Sequence, residues 1–87
     1  MTDVYQEITE ERKRQDSLWC EQNHSPLMWN AILAEEVGEA SREVCESVWC
    51  KTDADEAIHL QNLRTEMIQV AAVAVAFVES LDRNELA

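Results

Sequence analysis

The chain has 87 residues, enough for a single domain, and apolar residues make up 46% of them, so we expect it to fold rather than to remain disordered. With 7 Lys and Arg against 18 Asp and Glu, its formal net charge is −11. Nucleic acid polymers and anionic membranes are bound through basic patches, so this charge predicts that the chain binds neither.

One glycine and one proline are too few for the turns of a β-protein, and the composition therefore predicts an all-α fold. The predicted helices cover residues 3–19, 26–49 and 53–81. Asp3, Ser25 and Thr52 or Asp53 stand where N-caps are expected. Pro26 directly after Ser25 fits the first helical position, where its missing N–H has no partner to lose.

The last predicted helix, which has a possible break near residues 56–60, contains the run VAAVAVAF at residues 70–77. This run is apolar nearly all round, and a helix of that kind is enclosed on several sides. Three or four helices of one chain offer too little cover. We therefore expect an antiparallel helix bundle that is completed by oligomerisation, as a homodimer or a homotetramer.

Two apolar stripes at helical spacing are expected to form the core. They contain Trp29, Ile32, Leu33, Val37, Ala40, Val44 and Val48 in the second helix, and Leu60, Leu63, Met67, Val70, Ala74, Phe77, Val78 and Leu81 in the third. Acidic residues interrupt both stripes. Glu36 falls near the middle of the first stripe and Glu39 at its edge, while Glu66 falls within the second stripe and Gln69 near its edge. A carboxylate in a packing face is costly to bury unless it is paired.

Side chains three residues apart lie on one face of a helix. Two such pairs on facing helices, Glu36 with Glu39 and Glu66 with Gln69, can enclose Mg²⁺, which prefers oxygen ligands, and Mn²⁺ could substitute for it. An ordinary solvated acidic face is the alternative for the acids of this region, including Glu35 and Glu43. Gly38, the only glycine, is expected to let a helix or a ligand come close.

The segment EEVGE at residues 35–39, followed after 26 residues by EMIQ at residues 66–69, resembles the ExxE…ExxD signature of MazG-like nucleoside triphosphate pyrophosphohydrolases. Upstream, ERKRQDSLWCEQNHSPLMW is similar to the lead-in of the short phage and bacterial members. Downstream, LRTEMIQVAAVAVAFVESLDRNE is similar to their last helix. The resemblance therefore extends over nearly the whole chain.

The resemblance implies an all-α enzyme that uses Mg²⁺ to hydrolyse a (d)NTP between the α- and β-phosphates, giving the (d)NMP and pyrophosphate. It implies that Glu36, Glu39 and Glu66 bind the metal, and that Glu35 is a further ligand or orients the attacking water. Gln69 stands where the family pattern has Asp, and its neutral amide binds a divalent cation less strongly. This departure leaves open a non-catalytic helical module that binds a nucleotide or a protein.

A nucleotide also needs contacts to its base and to its phosphates. The candidates are Trp19, Gln22, Asn23, His24, Trp29, Lys51 and Arg64. The tryptophans and the histidine could stack on or frame a base, the two amides could read its edge, and the two cations could contact phosphates. Core packing of the tryptophans, loop capping by the asparagine and histidine, and surface salt bridges of the cations are the alternatives.

The three cysteines, Cys20, Cys45 and Cys50, form no CxxC pair, and together with His24 they match no common zinc pattern. The N-terminal stretch is polar and gives no sign of a secretory signal peptide. An odd number of cysteines in such a chain predicts a cytoplasmic protein with reduced thiols.

Overall fold

In a computed structural model that describes residues 3–86, the chain forms three helices, α1 (Val4–Trp19), α2 (Pro26–Trp49) and α3 (Asp53–Asn84). These residues contain no strand, which confirms the predicted all-α class. Helix α2 packs along α3 in the antiparallel direction, and α1 lies against α3, so that the molecule measures 50 × 29 × 20 Å. Within residues 3–86, no helix is long and apolar enough to cross a membrane.

The starts of the helices follow from local side-chain chemistry. Each predicted N-cap accepts a hydrogen bond from a backbone N–H of the first turn, at 3.0 Å for Asp3, 3.2 Å for Ser25 and 3.1 Å for Thr52. A cap of this kind stabilises a helix by about 1 kcal/mol. The possible break near residues 56–60 is wrong, because α3 runs without interruption through this segment and ends beyond residue 81, at Asn84.

The core lies between the N-terminal part of α2 and the C-terminal half of α3. Trp29 is its central side chain, only 2% exposed, and its ring is stacked on Phe77 with 5.9 Å between centroids and 16° between planes. The side chains that complete this cluster are Ile32, Leu33, Val73 and Ala76. Burial of the aromatic pair therefore fixes α2 against α3 at one end of the molecule.

A large part of each predicted apolar stripe lies outside this core. The exposed members, 45–66% accessible, are Val37, Val44 and Val48 of α2 and Leu60, Met67 and Val78 of α3. They do not pack within the described part of the chain, because the two helices meet along Glu36 and Glu66. Residues one position further on are turned about 100° away from that contact line. We call these six residues the outer apolar face.

Charged side chains fasten α1 to α3. The Arg12 guanidinium donates to Glu79 at 3.0 Å, and Arg64 donates to Glu7 at 2.8 Å, whereas every side chain of α1 keeps at least partial exposure to solvent. Exposed ion pairs of this kind contribute little to stability, because solvent screens them. Arg64 hydrogen-bonds to Glu7 and so lowers the pKa of that carboxyl. This pairing is the salt-bridge alternative that was open for Arg64.

Gly38 faces open space, so the expected approach of a helix is not made by the described residues, while the approach of a ligand stays a prediction. A Cβ placed on it meets no atom of the described residues within 4 Å. Glycine in a helix interior costs about 0.5–1 kcal/mol relative to alanine. We therefore expect Gly38→Ala to raise the free energy of unfolding by about that amount in urea denaturation followed by circular dichroism. A loss of stability would show that another molecule packs against this position.

Candidate functional site

Three glutamates meet at the contact line between α2 and α3. One carboxylate oxygen from each of Glu36, Glu39 and Glu66 lies within 4.8 Å of the other two. The first two side chains share a helix face because they are three residues apart, and the third approaches them from the opposite helix. The structure thus brings together three of the four residues that the sequence proposes as metal ligands. We call these three residues the carboxylate cluster.

Two oxygens of this cluster are unsatisfied. Glu36 Oε2 and Glu66 Oε2 are shielded from solvent, and neither has a hydrogen-bond partner among residues 3–86. A buried oxygen without a partner costs about 1–3 kcal/mol, and more when it is charged. A proton or a cation at this position would remove that cost.

The electrostatics of the cluster show the same lack of positive charge. Burial raises the pKa of Glu36, and the neighbouring carboxylates raise it further in the order Glu39, Glu66, Glu35 and Glu11. Burial also raises the pKa of Glu66, with Glu39 as the next contributor. Both groups therefore favour their neutral form more than an isolated glutamate does. Glu35 itself is exposed on α2 beside the cluster, at a position where its charge reaches Glu36.

A groove of about 210 Å³ adjoins the cluster and is lined by residues of all three helices. The lining side chains are Arg14, Gln15, Trp19, Gln22, Trp29, Ile32, Glu36, Gln69 and Val73. Gln69, the fourth proposed ligand, thus lines the same groove as Glu36. Trp19 remains about half exposed, whereas Trp29 is buried in the core. The groove therefore joins an aromatic end to a carboxylate end.

The connection between α1 and α2 lies next to the aromatic end. The His24 ring meets Trp29 edge-on, with 4.9 Å between centroids and 76° between planes. Asn23 Oδ1 accepts hydrogen bonds from Arg83 at 3.2 Å and from Asn84 at 2.8 Å. Asn23 therefore ties this connection to the end of α3, which is the structural role that was left open for it.

Lys51 lies far from the groove. It is exposed in the short connection between α2 and α3, twelve residues beyond Glu39. At 1.5 Å per helical residue, this separation is roughly 16–18 Å along the helix axis. The structure does not bring Lys51 together with the other proposed substrate-binding residues.

Two features of the site were missed from the sequence. At the end of the cluster away from Trp29, His59 Nδ1 of α3 lies 2.8 Å from Glu43 Oε2 of α2. On the groove side, Arg14 and Gln15 of α1 complete the wall. A histidine and a glutamate 16 residues apart share no local pattern, and Arg14 is one of several exposed charged residues of α1, so the sequence does not single it out.

The fold and the site were compared with known proteins at three levels. Protein-family models, curated proteins and solved structures give no match to this chain.

Proposed function

We propose that this protein is a Mg²⁺-dependent nucleoside triphosphate pyrophosphohydrolase of the MazG-like type, which converts a (d)NTP into the (d)NMP and pyrophosphate. The observation that carries the proposal is the convergence of Glu36, Glu39 and Glu66 from two helices, with two oxygens that lack a partner in the described chain. A compact set of carboxylate oxygens is the ligand chemistry that suits Mg²⁺, and Mn²⁺ as its substitute.

Each side chain of the site has a proposed role in this reaction that follows from its position. Bound Mg²⁺ supplies charge neutralisation for the phosphates and makes water more acidic at the site. Glu36, Glu39 and Glu66 would hold the cation, and Gln69, which lines the same groove as Glu36, would offer an amide oxygen. Exposed Glu35 would orient the attacking water and accept its proton at a carboxylate oxygen as pyrophosphate leaves, or would serve as a further ligand.

The groove gives the nucleoside a place next to the cluster. Half-exposed Trp19 offers an aromatic surface to a base, and Gln22 offers an amide that can donate to or accept from its edge. Trp29 precedes Glu36 by seven residues on α2, or about 10 Å along the axis. This separation is the distance along α2 between the aromatic end and the carboxylate end of the groove.

A second candidate function is a non-catalytic helical module that binds a nucleotide or a protein partner. The observation that favours it is Gln69, because the groove has a neutral amide where a catalytic member of the resembled family would place a carboxylate. A weaker cation site would keep nucleotide binding and lose turnover.

The decisive experiment incubates the protein with a panel of (d)NTPs and Mg²⁺ and measures release of pyrophosphate and of the matching (d)NMP. We expect turnover of at least one triphosphate, and loss of that turnover when a chelator removes the cation. Binding without turnover would favour the second candidate. A folded chain that neither binds nor hydrolyses any triphosphate contradicts both functions.

We also propose that the protein works as a homodimer or homotetramer assembled through the outer apolar face. The six side chains of this face are apolar, and the chain as a whole carries a net charge of −11. An uncharged face is where two acidic copies can meet without bringing like charges together. Burying it would also supply cover that a chain of 87 residues lacks.

We expect Met67→Glu to shift the protein from an oligomer to a monomer, because it places a charge at the middle of the outer apolar face. The control is Leu27→Glu, which adds the same charge at a side chain that is 82% exposed on another side of α2. Sedimentation equilibrium over a range of protein concentrations measures the oligomeric state of both variants. Self-association is contradicted if the unmodified chain is a monomer throughout that range.

A further inference from the structure

One cationic side chain lies in the groove itself. Of the described residues that line this groove, Arg14 alone carries a positive charge, and it shares the lining with Glu36, Gln69 and Trp19. It stands on α1, at the wall of the groove. A polyphosphate placed in the groove would therefore lie within reach of this long, half-exposed side chain.

The guanidinium of Arg14 is already bound to a carboxylate. Its Nε donates to both oxygens of Glu11 at 2.8 Å, and its Nη2 lies 2.7 Å from Glu11 Oε2. Planar guanidinium donors bind carboxylate and phosphate oxygens with the same two-pronged geometry. Glu11 thus occupies the donor positions that a phosphate would use.

The guanidinium of Arg14 is open to a ligand on one side. The Arg14 side chain is 51% exposed, whereas the Glu11 side chain that holds it is 12% exposed. A phosphate carries more charge than the carboxylate it replaces, which strengthens the contact. Glu11 also adds negative charge near Glu36, and moving it away would relieve that repulsion.

The other arginines near α1 are committed to structural contacts. Arg12 bonds to Gln15, Asp16 and Glu79 with a largely buried side chain. Arg64 is paired with Glu7 outside the groove. Arg14 is therefore the cation whose position and exposure fit a ligand, although neither charge nor spacing in the sequence distinguishes it from its neighbours.

We propose that Arg14 binds a phosphate group of the substrate, and that Glu11 holds its guanidinium at the edge of the groove until the polyphosphate displaces it. This inference rests on the proposed function, because it concerns the same groove and the same triphosphate. It makes Arg14 a substrate-binding residue and Glu11 its competitor.

Steady-state kinetics of single variants test the exchange. We expect Arg14→Gln to raise KM about tenfold to a hundredfold, the range for losing a hydrogen bond to a charged group. The KM of Arg14→Lys should lie between those of the wild type and Arg14→Gln, because lysine keeps the positive charge but cannot donate two parallel hydrogen bonds to a phosphate. Glu11→Gln should lower KM about two- to fivefold, since it frees the guanidinium. Lys13→Gln removes one positive charge from the adjacent exposed position and should leave KM within about twofold.

Opposite changes in KM for Arg14→Gln and Glu11→Gln would exclude a purely structural role for this ion pair. If Arg14 and Glu11 only stiffen α1, both substitutions to glutamine move KM in the same direction, and the proposal is wrong. Calorimetric titration with an α,β-methylene nucleoside triphosphate and Mg²⁺ gives the same comparison without turnover, and thermal melts verify folding.

The outcomes separate this inference from the proposed function. Turnover by the wild-type chain, together with equal KM for Arg14→Gln and Lys13→Gln, overturns only the role of Arg14. A wild-type chain that neither hydrolyses triphosphates nor binds the methylene analogues overturns both proposals.

Discussion

Replacing Glu36 with glutamine should abolish pyrophosphate release and, without divalent cations, should make the fold more stable. In the metal-free chain this carboxylate is partly desolvated and faces Glu39 and Glu66. A neutral amide removes that repulsion, and each like-charge neighbour on a helix costs about 0.2–0.5 kcal/mol. With the contact across the helices added, we expect a gain on the order of 1 kcal/mol.

The same substitution removes a proposed cation ligand at the centre of the site. We expect turnover of the preferred triphosphate to fall by at least about a hundredfold, as for the loss of other electrostatic groups at reacting phosphates or carbonyls. Mg²⁺ or Mn²⁺ should raise the melting temperature of the wild-type chain, because a ligand that binds only the folded state stabilises it. The variant should show little of this rise.

Glu46→Gln is the matched control for this comparison. Glu46 lies on the same helix with a half-exposed side chain and pairs with Arg42 only at 4.0 Å. The Glu46→Gln substitution removes one negative charge, as Glu36→Gln does. It should leave turnover and the metal-dependent rise in melting temperature nearly unchanged. If Glu36→Gln behaves like this control in both measurements, the cation-binding role of the cluster is wrong.

The pH dependence of stability follows from the same groups. The pKa values of Glu36 and Glu66 are raised in the folded chain above the ordinary 4.5. At a pH between the unfolded and the folded pKa of either group, the folded state therefore binds more protons than the unfolded state. Their contribution to stability is full below pH 4.5 and is lost as the pH rises through the folded values. Glu7 acts in the opposite direction, because Arg64 lowers its pKa.

Comparing the wild type with Glu36→Gln separates the effect of Glu36 ionisation on stability from the effects of other groups, such as Glu7. Without metal, the stability of the wild type relative to Glu36→Gln should fall as the pH is raised from about 4 toward neutrality, because only the wild type must ionise Glu36. Urea denaturation in a chelating buffer measures the difference at each pH. A difference that stays constant or increases with pH contradicts the raised pKa.

The helices and their starts were predictable because they depend on neighbouring residues. Asp3, Ser25 and Thr52 act as N-caps through hydrogen bonds that reach two or three positions along the chain. The spacing of Glu36 and Glu39 likewise places both on one face of α2 wherever that helix packs. Two members of the carboxylate cluster could be placed together from spacing alone for this reason.

The packing of the helices was less predictable because it depends on distant residues. The apolar stripe of α2 has Glu36 near its middle, and the helix does meet α3 along the side of Glu36 and Trp29, but the stripe does not show that its margin at Val37 stays exposed. The position of α1 is set by ion pairs such as Arg12 with Glu79, 67 residues apart. Periodicity within α1 contains no information on such a pairing, so Arg14 could not be placed in the groove beforehand.

Trp29→Ala should cost about 3–5 kcal/mol of unfolding free energy, the range for truncating a buried aromatic side chain. Trp29 is 2% exposed, stacks on Phe77 and meets His24 edge-on, so its removal leaves a cavity where all three groups converge. A domain of this size has a total stability of about 5–15 kcal/mol. The variant would therefore lose a large fraction of its stability, measured by urea denaturation at one fixed protein concentration.

Two further substitutions show whether the stability lost in Trp29→Ala comes from the burial of this side chain or from the loss of any aromatic ring. Trp49→Ala truncates a tryptophan that is 77% exposed at the end of α2, and should change stability by no more than about 0.5 kcal/mol. Trp29→Phe keeps a ring against Phe77 and deletes the buried Nε1, which has no partner among residues 3–86, so its cost should be well below that of alanine. If Trp29→Ala loses less than about 1 kcal/mol, this aromatic cluster is not what holds α2 on α3. The cohesion of the two helices would then have to come from the acidic contact line or from a second copy on the outer apolar face.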